Sequence, residues 1–204
     1  MTKLSVELEV EMAAAVAALI PSDIAILRHY SVPDAMIAMG MVGVVLAEKL
    51  AGGLLWAPEG HSRLFVTPLR GWEVETDTPM LETFWGEIVD LIAWRPDEPG
   101  LLMRTGLGEC LGHFEPQYLN PEPVPVRRGV ASWLRGKCRG IVPLGLPADQ
   151  QRLLLGCGGV AGEDIEHAME LRRLLERPVL VPRIIIDGGN GGEVQNTRPD
   201  QAPA

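Results

Sequence analysis

Three carboxylates lie close together in the second half of the chain: Glu163, Asp164 and Glu166. An apolar stretch that predicts a strand, residues 158–161, precedes them, and a predicted helix begins at Asp164. Carboxylate oxygens are good ligands for Mg²⁺, and parallel sheets bind ligands at the carboxyl ends of their strands. The three acids are therefore a candidate magnesium site. The same acids would also cap a helix and complement its dipole, and this alternative stays open.

Basic residues are concentrated in a second segment. Residues 124–148 contain no Asp or Glu and carry five cations: Arg127, Arg128, Arg135, Lys137 and Arg139. By contrast, residues 72–94 contain six acids and no Lys or Arg. The two segments could attract each other across the fold, the basic one could be a solvated face, or it could meet a phosphate backbone. Arginine suits the last of these roles because a guanidinium forms paired hydrogen bonds with phosphate.

No other motif predicts catalysis. The glycine-rich stretch 156–162 has the wrong spacing for a nucleotide loop, and Ser132 has no evident histidine partner. The three cysteines are too few and too widely spaced to favour a disulfide framework or a zinc site. We therefore assign no catalytic residue, favour a protein without enzymatic activity, and expect no cofactor beyond a Mg²⁺ ion.

The composition is that of a globular protein. The chain has 204 residues and is 47% hydrophobic, which is enough apolar material for a core. The net charge of −9 weakens long-range attraction to nucleic acid and to anionic membranes without excluding a local basic patch. No run of about 18 apolar residues and no signal-peptide pattern is present. We expect a cytoplasmic protein that does not span a membrane.

Local patterns divide the first half of the chain into two regions. Apolar residues at three- and four-residue steps predict an amphipathic helix over residues 4–19, followed by short helices at 23–30 and 33–40, so that residues 1–50 form a helical cap. Residues 52–115 instead carry short aliphatic and aromatic runs separated by Pro, Gly and Asp. They predict a small antiparallel sheet with strands at 54–56, 63–69, 88–94 and 101–104.

The second half predicts a different architecture. A proline-rich linker at 115–125 leads to strands at 124–126, 141–144, 158–161 and 179–186, which alternate with helices at 129–137, 148–155 and 164–176. This alternation predicts an α/β region over 124–187 with a mainly parallel sheet. The last helix is expected to bury its apolar residues: Ile165, Ala168, Met169, Leu171, Leu174 and Leu175. Residues 188–204 are Gly-, Pro- and polar-rich and are predicted to be disordered.

The order of these segments resembles that of Toprim-domain proteins of the phage and mobile-element primase type. The resemblance covers residues 52–186. It is carried by three segments: the strand, glycine and helix of 124–145, the strand and acidic turn of 160–168, and the apolar strand 86–95 followed by Arg104-Thr105-Gly106. It implies a four-stranded parallel sheet and, in active members, Mg²⁺-dependent phosphoryl chemistry on nucleic acid.

The chain departs from the Toprim pattern at its catalytic positions. Arg128 stands where the family has Glu, and the Asp-x-Asp motif becomes Glu163-x-Ile165 or Asp164-x-Glu166. Loss of the general acid–base predicts a degenerate, non-catalytic relative that is associated with nucleic acid. In such a relative Arg127 and Arg128, which lie at the same edge, are the candidate phosphate-binding residues. The alternative is a small regulatory protein that binds another protein through the acidic stretch 73–90 and Trp72 or Trp85. A third hypothesis is a small-molecule enzyme.

Overall fold

The computed structural model describes residues 2–71, 86–112 and 122–177. Three helices come first: α1 (Lys3–Ala17), α2 (Pro21–His29) and α3 (Asp34–Ala38). Five strands follow: β1 (Gly43–Lys49), β2 (Trp56–Pro58), β3 (Ser62–Arg70), β4 (Ile88–Arg95) and β5 (Glu98–Met103). The remaining elements are β6 (Cys110–Leu111), β7 (Val124–Pro125), α4 (Val130–Arg135), β8 (Val142–Pro143), α5 (Pro147–Leu155), β9 (Val160–Ala161) and α6 (Ile165–Leu175).

The first five strands form one antiparallel sheet in the order β2-β1-β3-β4-β5. Helix α1 covers one face, where Leu8, Met12 and Ala15 pack among residues of β1 to β4. The other face packs against residues from α2, α3 and α4 in a second apolar cluster. Both faces of β3 and β4 are therefore buried, which explains why these strands are nearly continuous apolar runs.

The expected helical cap over residues 1–50 is wrong at its end. Helical structure stops at Ala38, and Gly43–Lys49 forms β1, the strand next to β3. Gly43 permits this strand to lie under α1, because a Cβ atom there would stand only 2.6 Å from the backbone carbon of Ala15. The three predicted helices are otherwise confirmed, and four predicted strands correspond to β2, β3, β4 and β5 with shifted ends.

The second half contains less sheet than expected. β7 and β9 form a two-stranded parallel pair, β6 pairs with β8 in antiparallel fashion, and a single parallel bridge joins Val126 to Ile141. The chain is therefore mixed α/β, as predicted, but only a small parallel sheet is present in the described residues. The predicted strand 179–186, the tail 188–204 and most of the linker 115–125 lie outside those residues.

Helix α6 faces solvent more than its pattern predicted. Ile165 is 82% exposed and Met169 is 48% exposed, whereas the buried positions of the helix are His167 and Leu171. The reason is that α6 packs along α5 and contributes only Leu171 to a small buried cluster with Val126, Ile141 and Leu154, so one narrow stripe of the helix is covered. The expected burial of Ile165, Ala168 and Met169 is thus wrong.

Asp90 organises the turn after β5. Its side chain is fully buried within β4, and both carboxylate oxygens accept hydrogen bonds from backbone N–H groups. The five donors are Leu91 (2.7 Å), Arg104 (2.8 Å), Thr105 (2.9 Å), Gly106 (3.0 Å) and Leu107 (3.1 Å). Successive backbone N–H groups of this kind form an anion-binding concavity, and here the chain fills it with its own carboxylate.

Ion pairs fasten α1 to the sheet. Glu9 contacts Arg70 at 2.8 Å, and Glu11 contacts Arg104 at 3.1 Å. The Arg104 guanidinium also lies 5.5 Å from the ring centre of Trp56, a distance that permits a cation–π interaction. Arg104, part of the Arg-Thr-Gly motif, therefore has a structural role in holding the helix.

In the described residues, no single helix is long and apolar enough to cross a bilayer, although α1 and α2 together meet that test as a pair bent by 94°.

Candidate functional site

The two sets of predicted site residues lie beside each other at one edge of the small parallel sheet. The register pairs Val124 with Val160 and Pro125 with Ala161. Counting on from these pairs places Arg127 and Arg128, which follow β7, beside Glu163 and Asp164, which follow β9. The side chains meet because parallel neighbouring strands end at the same edge.

Arg128 is the centre of this cluster. Its guanidinium contacts Asp164 at 2.9 Å, Glu170 at 2.9 Å and Glu166 at 3.8 Å. The pKa of Arg128 is raised, first by its hydrogen bond to Asp164. One cation therefore faces three carboxylates, which would repel one another without it.

Arg127 is held in a second set of contacts. Its Nε donates to the carbonyl oxygen of Arg139 at 3.0 Å, and its Nη1 lies 3.6 Å from Glu163. The six charged groups of the cluster are Arg127, Arg128, Glu163, Asp164, Glu166 and Glu170. Two positive and four negative groups give a local charge of −2. A local charge of −2 does not favour an approaching phosphate. Phosphate binding by Arg127 and Arg128 stays a prediction.

Asp164 caps α6. Its side chain accepts the backbone N–H of His167 at 2.8 Å, and this bond, followed by the one from Arg128, lowers the pKa of Asp164. Asp164 therefore has the alternative role proposed for the acidic turn, that of a helix cap.

Within residues 2–71, 86–112 and 122–177, no group of three or more His, Cys, Asp or Glu side chains is arranged to hold a metal ion. Magnesium binding by Glu163, Asp164 and Glu166 stays a prediction, and it would require displacement of Arg128.

The remaining cations of the basic segment form a separate surface, which we call the basic turn: Arg135, Lys137 and Arg139. All three are exposed. In the described part of the chain, none of the three side chains has an ion pair or a hydrogen bond, whereas every arginine from Arg28 to Arg128 pairs with a carboxylate. Three cations without a partner in the described residues therefore lie within the five residues 135–139.

Backbone hydrogen bonds define the conformation of the basic turn. After α4 the N–H of Lys137 bonds to the carbonyl of Leu134 and that of Cys138 to the carbonyl of Trp133, each at 2.9 Å, which is the Schellman pattern of a helix end. Glycine usually follows the cap residue in this motif, but here Lys137 and Cys138 adopt φ values of 55° and 60°. A left-handed conformation costs a residue with a side chain about 1 kcal/mol. The buried Cys138 side chain and the buried Trp133 hold the turn in place.

His167 is a buried polar residue that motif reasoning missed. It is 5% exposed, and its Nδ1 accepts the backbone N–H of Glu163 at 3.1 Å. A neutral ring with Nδ1 as acceptor carries its proton on Nε2. Burial, and next the charge of Arg128, lowers the pKa of His167. The only sequence signal was a histidine three residues after a capping Asp, a pattern that many exposed histidines share.

We expect His167 to make stability depend on pH. Its folded-state pKa lies below the ordinary value of 6.5, so between the two values the unfolded chain binds more protons. The contribution is present above about pH 6.5 and is lost as the pH falls through the folded-state pKa. The melting temperature should therefore drop as the pH falls below about 6.5, and His167→Gln should flatten that drop. His61→Gln, the same change at an exposed histidine, is the control; an unchanged profile in His167→Gln would contradict this role.

Comparison with known proteins yields no match: no family model, no curated protein and no solved structure is similar enough to this chain to indicate its family.

Proposed function

We propose that this chain is a nucleic-acid-associated protein of the phage or mobile-element type, related to primases and without catalytic activity of its own. It contacts the phosphate backbone through Arg135, Lys137 and Arg139. The observation that carries the proposal is the free state of these three exposed cations on a protein whose other arginines up to Arg128 are all paired. Contacts with phosphate groups depend on charge and do not distinguish one base from another. Binding should therefore be weak and independent of the nucleic-acid sequence.

The proposal assigns different roles to the two groups of cations. Arg127 and Arg128 form ion pairs with carboxylates and connect the two chain segments at the edge of the small sheet. An approaching phosphate would have to compete with carboxylates already in place, and it would enter a region of local negative charge. The basic turn meets neither obstacle. The strained backbone at Lys137 is consistent with this role, since a lysine occupies a position where glycine would be more favourable.

The experiment that tests the proposal uses fluorescence anisotropy of a labelled single-stranded DNA at low salt. The triple variant Arg135→Ala/Lys137→Ala/Arg139→Ala should bind at least tenfold more weakly than the unmodified protein. The matched control is Arg152→Ala/Arg172→Ala/Arg173→Ala, which removes the same charge from exposed positions on α5 and α6. Equal losses in the two triple variants would show that net charge alone decides, and would contradict a localised contact.

A single substitution separates binding from stability. Lys137→Gly removes one cation and also relieves the left-handed strain, so we expect weaker DNA binding together with unchanged or higher thermal stability, by up to about 1 kcal/mol. A variant that binds less because it is unfolded would show the opposite change in stability. If Lys137→Gly binds DNA as tightly as the unmodified protein, Lys137 is not a contact.

The alternative function is a small protein-binding regulatory protein. Its expected contacts, Trp72, Trp85 and most of the acidic stretch 73–90, lie outside the described residues. Absence of DNA binding at low salt would make this the function to pursue. A pull-down comparing the unmodified chain with Trp85→Ala would then test it.

A further inference from the structure

A large cleft lies where three apolar clusters of the core meet. Its volume is about 680 Å³, and this is within the range of roughly 300–1,000 Å³ that is typical of small-molecule sites. Its wall includes residues of the cluster under α1, of the cluster on the other face of the sheet and of the small cluster beside α6: Leu64 and Ala93, Trp94 and Leu144, and Leu154 and Leu171. The three clusters leave a space between them that their side chains do not fill, so its wall suits an apolar ligand.

The charged residues around this cleft are mainly basic. Four cations line it against two carboxylates: Lys49, Arg95, Arg127 and Arg128 against Glu98 and Glu170. Four positive and two negative groups give the lining a charge of +2. The other acids of the Arg128 cluster, Glu163, Asp164 and Glu166, do not line the cleft. An anion inside the cleft would therefore meet an excess of positive charge, although the cluster as a whole is acidic.

Lys49 is the cation that this lining leaves without a partner. Both lining carboxylates are already paired, Glu98 with Arg95 at 2.7 Å and Glu170 with Arg128 at 2.9 Å. In the described part of the chain, the Lys49 side chain has no ion pair and no hydrogen bond. A Cβ atom at Gly53, another residue of the wall, would stand 3.7 Å from Lys49 Nζ. The ammonium group therefore lies against the wall of the cleft, where a ligand can reach it.

We infer that this cleft binds a small molecule with an apolar body and one anionic head group, and that Lys49 contacts the head group. The apolar body packs against the leucines of the wall, among them Leu154 and Leu171. The positive lining selects an anion over a neutral or cationic molecule of the same shape. The inference is independent of nucleic-acid binding, because none of the three cations of the basic turn lines the cleft.

Four probes with the same eight-carbon chain test the ligand class: octanoate, octyl phosphate, octanamide and octylamine. Each is titrated into the full chain in a calorimeter, near neutral pH and below the concentration at which it forms micelles. We expect saturable binding of at least one of the two anionic probes, and binding of octanamide and octylamine that is at least tenfold weaker. If neither anionic probe binds, or if octanamide or octylamine binds as tightly as both of them, the inference is overturned.

A pair of lysine variants tests the head-group contact. Lys49→Met removes the charge and keeps an apolar side chain of similar length, so the anionic probe should bind at least fivefold more weakly while the affinity for octanamide stays the same. Lys3→Met is the matched control, since Lys3 is exposed and does not line the cleft. An unchanged affinity in Lys49→Met, or an equal loss in the two variants, would contradict the contact.

A pair of leucine variants locates the apolar body. Leu174→Trp places a larger side chain in the cleft and should abolish binding of the anionic probe. Leu155→Trp is the same change at a residue that is 54% exposed and outside the cleft, and it should leave binding intact. Binding that survives in Leu174→Trp would place the probe elsewhere and contradict the inference. The charge selectivity of the unmodified protein and the lysine pair decide the matter even if the tryptophan variant does not fold.

Discussion

Asp90→Asn is expected to lower the free energy of unfolding by about 3–5 kcal/mol. The carboxylate of Asp90 is fully buried and accepts five backbone N–H bonds, three on Oδ1 and two on Oδ2. An amide of the same shape has one oxygen and one NH₂ group. In either orientation its NH₂ group would point at backbone N–H donors, so at least two of these donors would lose their acceptor.

Urea unfolding of the Asp90→Asn variant measures this effect. Asp97→Asn is the matched control, since Asp97 is exposed in the β4–β5 turn and the substitution there should change stability by less than about 0.5 kcal/mol. Hydrogen exchange adds a local readout, because the amides of residues 104–107 should lose protection first. A midpoint equal to that of the unmodified protein would mean that the turn does not depend on the carboxylate.

Trp133→Ala is the second substitution with a large expected effect, a loss of about 3–5 kcal/mol. Trp133 is 1% exposed, and its Nε1 donates to the carbonyl oxygen of Gly140 at 3.0 Å. Its own carbonyl accepts the N–H of Cys138, which closes the basic turn. Removal of the indole leaves a cavity between α4 and the sheet, and we expect it to loosen the turn that presents Lys137 and Arg139.

Trp133→Phe separates the two contributions of this side chain. The phenyl ring keeps most of the buried apolar area and lacks the N–H donor, so its cost should be clearly smaller than that of the alanine variant. Thermal unfolding ranks the three proteins, and DNA anisotropy measured well below the lowest melting temperature reports on the turn. An alanine variant as stable as the phenylalanine variant would contradict the role of Trp133 as the core of this region.

Local patterns predicted the elements whose signals are local. The four-residue spacing of Leu8, Met12 and Val16 predicted α1, and apolar runs bounded by Pro and Gly predicted β3 and β4. β1 was missed because Gly43–Lys49 continues the apolar texture of the helix before it and has no clear alternation. Its strand character comes from pairing with β3, a contact that is not local in sequence.

The candidate site shows the same limit. The residue types at positions 127, 128, 163, 164 and 166 were recognised, but not that the two groups would pair. That result follows from the register of β7 and β9, which places position 127 beside position 163 and is set by tertiary packing. The role of Asp90 and the burial of His167 could not be predicted either. Asp90 accepts backbone N–H groups that lie 14 to 17 residues further along the chain, and the burial of His167 depends on the tertiary packing around α6. The basic segment was predicted as a whole, and only the fold separates its paired cations from its free ones.

The salt dependence of DNA binding tests the central claim most directly. Each phosphate contact on a single strand contributes about −0.7 to the slope of log association constant against log salt concentration. Three contacts from Arg135, Lys137 and Arg139 predict a slope of about −2 for the unmodified chain, and the triple alanine variant should approach zero. The measurement is anisotropy of a labelled oligonucleotide from low to moderate salt. No binding at the lowest salt, or a slope that is the same in the triple variant, would contradict the account.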